Sequence, residues 1–398
     1  MRIKTHALNL FSTSSYFNQQ KFMNFCEKLI IKHNLPFQGY SLAVIDLTQV
    51  DCLLDTWNTE MPTITPYYAI KANPDPLIIK KMKYFDCASG NEIRKVLELG
   101  KNPKNIIYAN TAKRESDILS AKCLGIEIMT ADSFLEVDKI LKIYPTCGIV
   151  LRICPNDEGA LNTKFSSKFG IIEPDLIKFF IYKYHKNLRG FSFHIGSGQQ
   201  DVNAWKNALQ IIDNSFEFIQ TYFDEKVYNK IDIIDIGGGF STDAPFKLSE
   251  IYSSLSYYKK KYRTKTWIAE CGRYFCKDTT TLLCPIISKN FRDNQINYVI
   301  GNSIYHSFSG IMWDKQIPRQ LVEGLQNDGV GLVQSTIFGE TCDGIDIIYK
   351  GLLPPDMEIG DVIIIPKMGA YCESSANNFN GFSPAKTEHY TKDDFLSL

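Results

Sequence analysis

Eight short apolar runs recur between residues 67 and 275, separated by amphipathic segments rich in lysine and glutamate. The runs are Tyr67–Ala72, Phe85–Ser89, Asn105–Asn110, Ile126–Ala131, Gly148–Ile153, Leu188–Ile195, Ile231–Gly237 and Trp267–Phe275. Between them, segments such as Gly90–Gly100 and Ala204–Phe223 carry apolar residues at helical spacing. Strands that alternate with helices pair in parallel through crossover connections. Eight such units over about 210 residues match the size of a (β/α)8 barrel, with a doubly wound sheet as the competing fold.

After residue 276 the texture changes. Thr280–Lys289, Ile296–Ile300, Gly331–Phe338, Gly344–Tyr349 and Asp361–Pro366 read as extended, with glycine and proline turns between them. We therefore expect a barrel over residues 40–276 and an all-β sandwich or barrel over 277–398 with part of 1–39. The lead-in carries one helical stretch, Gln19–His33, and a strand-like run, Ser41–Leu47, whose partner domain the sequence leaves open.

At 398 residues, 44% hydrophobic and 22% charged, the chain has ample core for two or three domains. Its 44 basic and 44 acidic residues cancel, which argues against nucleic acid or an anionic membrane as partner. No apolar run reaches the roughly 20 residues of a membrane span, and the N-terminus shows no apolar leader after its basic residues. Eleven irregularly spaced cysteines, with no Cys-x-x-Cys pair, suit reduced thiols and predict a cytoplasmic protein without a zinc site.

The polar residues near the C-terminal strand ends form a pattern. Lys71 ends the first run, Asp86 lies on the second just before Glu92, and Arg152 ends the fifth. His194 ends the sixth, Gly237, Gly238 and Gly239 the seventh, and Glu270 with Arg273 the eighth. That is the face on which barrel enzymes build active sites. Lys71 closes Pro66-Tyr-Tyr-Ala-Ile-Lys-Ala-Asn73, and an ammonium there is costly to desolvate. A covalent bond to an aldehyde cofactor removes that cost; a snorkelling side chain is the plain alternative.

Bare amides at Gly237 to Gly239 suit an oxyanion, although a glycine triplet is also simply a tight turn. Ser197 and Arg273 add a hydroxyl and a charged donor. His194 is either a satisfied core histidine or a flat ring on which a heteroaromatic cofactor stacks. Glu270 is either an ion-pair partner of Arg273 or Arg152, or the carboxylate that keeps a pyridine nitrogen protonated. Lysine, phosphate donors, stacking ring and carboxylate together are what pyridoxal 5′-phosphate requires.

With these residues in place the chain resembles the ornithine/diaminopimelate/arginine decarboxylases, pyridoxal-phosphate enzymes of the alanine-racemase-like fold, and most of all their ornithine branch. The matching segments are the octapeptide at 66–73, Phe85-Asp-Cys-Ala-Ser89, Phe193-His-Ile-Gly-Ser-Gly198, Asp235-Ile-Gly-Gly-Gly-Phe240, Glu270-Cys-Gly-Arg-Tyr-Phe275, Thr341-Cys-Asp343, and Gly369-Ala-Tyr371 with Phe379-Asn-Gly-Phe382. The resemblance implies Lys71 as the covalent anchor, His194 as the stacking residue and Glu270 as the pyridine partner. It implies Ser197, Gly237 to Gly239, Arg273 and Tyr371 as phosphate ligands and Gly272 as a further cofactor contact, with Asp86, Glu92 and Arg152 orienting the lysine and its neighbourhood. Cys342 matches the cysteine that protonates the decarboxylated carbon. It also implies a homodimer with shared active sites, in which Cys342 and Asp343 reach the partner's site and Lys168 and Asp346 bridge the interface. Cys271 and Glu340 stand where the family usually has proline, which implies altered loop stiffness.

Tyr305 with Trp313-Asp314 resembles the ornithine branch, and Asp314 and Asp343 would face a distal ammonium, with Phe379 beside them. No arginine matches the one that reads a second carboxylate in the diaminopimelate branch. The resemblance thus implies decarboxylation of a basic amino acid, ornithine to putrescine first and lysine next. Arginine, diaminopimelate, carboxynorspermidine or a siderophore intermediate are the alternatives. A catalytically silent regulator of the antizyme-inhibitor kind and an amino-acid racemase are the readings from other classes.

Overall fold

A computed structural model describes residues 5–7, 16–316 and 331–397 of the chain, so residues 1–4 of the N-terminus weighed above for a leader lie outside the described residues. The chain divides into two compact units, Leu53–Tyr274 and Met1–Cys52 with Phe275–Leu398.

In the first unit each of the eight apolar runs contains a strand: β1 (Thr65–Ala69), β2 (Tyr84–Cys87), β3 (Ile106–Tyr108), β4 (Ile128–Ala131), β5 (Gly148–Arg152), β6 (Leu188–Ser192), β7 (Ile233–Asp235) and β8 (Thr266–Cys271). They close into a barrel in chain order, β8 pairing β1 and β7 pairing β6, and the neighbouring strands are parallel. Closure excludes the doubly wound alternative, because an open sheet leaves two edges unpaired. Ile107, Val150, Ile233 and Ile268 pack together as one core cluster with Tyr67 and Ile128. Helices follow the strands and cover them, as parallel sheets require. One of them, Gly90–Glu98, starts at Ser89, whose hydroxyl accepts from the Glu92 amide at 3.2 Å, and buries Ile93 and Val96.

In the second unit a 13-residue strand, Thr280–Arg292, organises the sheet. Its first half pairs antiparallel with Val362–Ile365 and Leu42–Asp46, and its second half with Gln295–Ile300 after a register shift between Ile286 and Ser288. Val333–Phe338 and Ile347–Leu353 extend one end, Thr5–Ala7 caps the other, and Lys386–Tyr390 pairs with Leu42–Asp46.

Two expectations are corrected here. Residues 40–52 do not belong to the barrel. Leu42 and Val44 pack into one core with Phe22, Cys26 and Leu29, while Ala43 enters another with Tyr298, Phe308 and Ile337. A strand buried on both faces needs apolar partners on each, and this unit supplies both. Nor is the unit all-β: helices Tyr16–Lys32, Leu35–Gln38, Gly310–Trp313 and Lys392–Ser397 belong to it. The first of these covers a sheet face that water would otherwise wet.

Candidate active site

Lys71 follows β1 in a single 3-10 turn, Ile70–Ala72, whose other two residues are buried. That turn anchors the backbone and leaves the lysine side chain 41% exposed. Its Nζ lies 2.8 Å from Oδ2 of Asp86, on the neighbouring strand β2, and the Asp86 side chain is fully buried. A snorkelling lysine would aim its ammonium at water; this one is paired to a buried carboxylate. The second Asp86 oxygen is buried with no hydrogen-bond partner. Glu92, on the next helix, accepts from the Ala88 amide at 2.5 Å, and burial pushes its carboxyl above its ordinary value.

Negative charge accumulates beneath this pair. Burial pushes the Glu270 carboxyl from 4.5 up to about 7; Asp86 adds to the rise, and Lys71 and Arg152 oppose it. Asp235, at the end of β7, is buried completely and pushed well up, first by desolvation and then by Glu270. The Gly237 amide donates to its Oδ1 at 2.8 Å, while Oδ2 is buried without a geometrically satisfied partner. The two carboxyl groups interact directly, with Asp235 the better holder of a proton. A protonated Asp235 leaves Glu270 the ionised member, so a cation facing Glu270 is what the site lacks to balance its charge.

His194 is neutral, because burial and the nearby Arg152 and Lys71 charges hold its imidazole well below the usual range. The Gly196 amide donates to Nδ1 at 3.1 Å, which leaves the ring hydrogen on Nε2. Phe165 meets the ring edge-on at 4.6 Å and fixes its plane. Arg152 lies over Phe169 at 4.6 Å.

The loop after β7 is a cradle of bare amides. A Cβ at Gly237, where φ is +62°, would stand 1.9 Å from the Phe193 carbonyl oxygen, and one at Gly238 would meet Nε2 of His194 at 2.6 Å. Side chains are thus excluded on steric grounds at two consecutive positions, which a turn alone does not demand. Ser197 Oγ accepts from Arg273 Nη2 at 3.1 Å and Nε at 3.3 Å, so the hydroxyl and the guanidinium are adjacent. Gly272, expected among the cofactor contacts, also gives the backbone room. A Cβ there would lie 2.8 Å from Cβ of Ala72 and 3.2 Å from the Ala69 oxygen, so the glycine lets β8 approach the Lys71 turn. Cys271 continues β8 opposite Tyr68.

These groups fit pyridoxal phosphate: a lysine amine, a carboxylate pair short of a cation, a neutral flat ring, and a cradle of amides beside an arginine and a serine. The residues that would hold it are Lys71, Asp86, Arg152, His194, Ser197, Gly237 to Gly239, Glu270 and Arg273.

The second unit carries the remaining residues. Tyr305 donates its hydroxyl to Oδ2 of Asp343, and its ring stacks on Phe379 at 4.3 Å and 28°. That hydrogen bond lowers the Asp343 carboxyl and raises the Tyr305 phenol. Three of the four residues expected around a substrate therefore form one cluster. Asp314 is buried at the end of helix Gly310–Trp313 and interacts electrostatically with Lys277, whose ammonium burial holds below its ordinary range. Cys342 is exposed, its amide donating to Oδ1 of Asn380 at 2.9 Å. Tyr371 adopts φ +58°, a left-handed conformation costly for a tyrosine and typical of functional positions. Asp346 is buried and accepts from Ser303 Oγ, the Ile304 amide, and both the amide and hydroxyl of Thr341.

Sequence reading assigned no role to Asp235, Lys277 or Asn380. Asp235 had a signal, since a carboxyl two residues before Gly237 sits at a C-terminal strand end like the others. Lys277 and Asn380 had none, being a lysine and an asparagine in short 3-10 turns with no pattern to mark them.

Residues 47–277 match the model of the pyridoxal-dependent decarboxylase family, pyridoxal binding domain. The chain is 34% identical over 388 residues to ornithine decarboxylase of Caenorhabditis elegans, covering 91% of this chain and 90% of the relative. It is 32% identical over 370 residues to the chloroplastic ornithine decarboxylase of Nicotiana glauca, covering 89% and 84%. Among solved structures, the arginine decarboxylase of Paramecium bursaria Chlorella virus superimposes with a TM-score of 0.83 at 32% identity, covering 92% of this chain and all of that one. The lysine/ornithine decarboxylase of Vibrio vulnificus, complexed with cadaverine, superimposes with a TM-score of 0.79 at 25% identity, covering 92% and 98%. Matched in sequence along most of its length and in structure as a barrel with an added sheet, the chain belongs to the pyridoxal-dependent decarboxylases.

Proposed function

We propose that this enzyme decarboxylates L-ornithine to putrescine, and that Lys71, Glu270, His194 and Cys342 carry the chemistry. The single observation behind the chemistry is the Lys71–Asp86 pair set beside the Asp235–Glu270 carboxyls. The choice of ornithine is supported by the likeness to curated ornithine decarboxylases and by two carboxylates, Asp314 and Asp343, suited to a distal ammonium.

Pyridoxal phosphate, when bound, supplies an electron sink for the pair left by carbon–carbon cleavage. Lys71 would anchor it through Nζ, and Asp86 stabilises the lysine proton whenever that amine is free. Glu270 would set negative charge against the ring nitrogen, and Asp235 holds the shared proton that allows it to. His194 offers a flat, neutral face, so it adds no positive charge that would compete at that nitrogen. Ser197, the Gly237–Gly239 amides, Arg273 and Tyr371 would hold the phosphate. Cys342 holds a proton at Sγ for the substrate carbon that loses its carboxylate. Tyr305 and Phe379 would wall the substrate side chain. We place the enzyme in the cytoplasm as a homodimer, in which Cys342 and Asp343 serve the partner's site.

Carbon dioxide release from ornithine, lysine, arginine and diaminopimelate, measured side by side on the purified enzyme, tests the substrate. Ornithine is expected to give the highest kcat/KM. Arginine is the rival, because the viral arginine decarboxylase superimposes well. A preference for arginine or diaminopimelate overturns the assignment, and cofactor binding without any release favours the silent-regulator reading.

A further inference from the structure

His306 follows Tyr305 in the second unit and is fully buried, yet neither ring nitrogen makes a hydrogen bond. Its Nδ1 lies 3.5 Å from Oε1 of Glu340, close enough for an ion pair and too long for a good hydrogen bond. It also interacts electrostatically with Glu373, which accepts from the Ser307 hydroxyl. Burial pushes the Cys284 thiol, on strand Thr280–Arg292, up, and Glu340 and Glu373 both add to the rise, which marks the same neighbourhood. Asp346, from the loop that carries Glu340, is already satisfied by Ser303, Ile304 and Thr341.

The placement joins three segments. Residues 302–309 carry Tyr305; residues 339–346 carry Cys342 and Asp343; residues 369–381 carry Tyr371 and Phe379. Glu340 belongs to the second and Glu373 to the third, so His306 is their common neighbour. The ring is thus the polar group set between two acids from two different loops, and removing either it or Glu340 leaves buried polar atoms further from any partner, which is costly in a dry site. Glu340 stands where the resembling family has proline, and its backbone amide donates to the Asn302 oxygen at 3.0 Å, a bond proline cannot make. The loop is thus tied by its own amide and its own side chain instead of by a rigid ring.

We propose that His306 is a positioning residue: through Glu340 and Glu373 it holds the Cys342 loop and the Tyr371 loop against the Tyr305 segment. What the loops are for rests on the function proposed above; how they are held does not.

Hydrogen exchange of residues 339–346 in the full-length, cofactor-loaded enzyme, corrected for intrinsic rates, reads the hold directly. Glu340→Ala is expected to exchange about fivefold faster than the wild type or more, the factor that loss of roughly 1 kcal/mol produces. His306→Gln should do the same, and adding it to Glu340→Ala should change little. In steady-state assays of the same proteins kcat should fall more than KM rises. A Glu340→Ala variant that exchanges at the wild-type rate, or strictly additive substitutions, would overturn the proposal. If His306→Gln does not fold, Glu340→Ala still decides. Failure of the ornithine assay leaves the exchange result standing, so the two readings fall separately.

Discussion

At the scale of single residues, the barrel site is an exercise in uncompensated charge. Burial holds Glu270 and Asp235 both above ordinary carboxyl values; Glu270 raises Asp235 further, while the Asp235 hydrogen bond opposes the rise at Glu270. For an acid whose folded value is raised, the native state binds protons that the unfolded state has already lost. Cofactor-free enzyme should therefore lose stability as pH rises from about 4.5 to about 7, the window set by Glu270. Glu270→Gln should flatten that fall, as read from Tm against pH; an unchanged slope would show that Glu270 is not the titrating group. Cys342→Ala should bind cofactor normally yet turn over very slowly, misplacing the proton in a fraction of those rare turnovers, which product analysis for the aldehyde and the aminated cofactor would detect. The principal residues were legible because each broke its local pattern: a lysine closing an apolar run, a histidine and a glutamate near strand ends. Asp235 was not assigned a role, because its partner Glu270 lies 35 positions on and only the β7–β8 register brings them together. His306 was missed because burial without partners is invisible in sequence.

At the scale of elements, the strand ends do the positioning, and their glycines are testable. Gly237→Ala places a methyl 1.9 Å from the Phe193 oxygen at a positive φ. It should destabilise by about 3 kcal/mol or more and weaken cofactor binding, both measurable by denaturation with and without pyridoxal phosphate. Ser89→Ala removes the cap of Gly90–Glu98 and should cost about 1 kcal/mol, sparing the absorption spectrum. The barrel strands were readable because apolar runs of this length, repeated between helical segments, have few other uses. Their ends were less so: Phe85–Ser89 read as one strand, but the strand closes at Cys87 and Ser89 turns the chain into a helix. Leu42–Asp46 was assigned to the wrong unit, because a strand buried on both faces looks the same in a barrel as in a sandwich.

At the scale of the whole molecule, each unit has its own hydrophobic core, and the residues expected at the active site are divided between them. A homodimer with shared sites makes a quantitative prediction. Mixing Lys71→Ala with Cys342→Ala, each nearly inactive, should restore about a quarter of wild-type activity, since half the random dimers would hold one intact site. No recovery after subunit exchange would refute sharing.

The most direct measurement follows the cofactor to its lysine. Reducing the pyridoxal-phosphate-loaded enzyme with borohydride and mapping its peptides should place the phosphopyridoxyl group on Lys71, with none found on the Lys71→Ala protein. A label on any other lysine, or no label at all, would contradict the account.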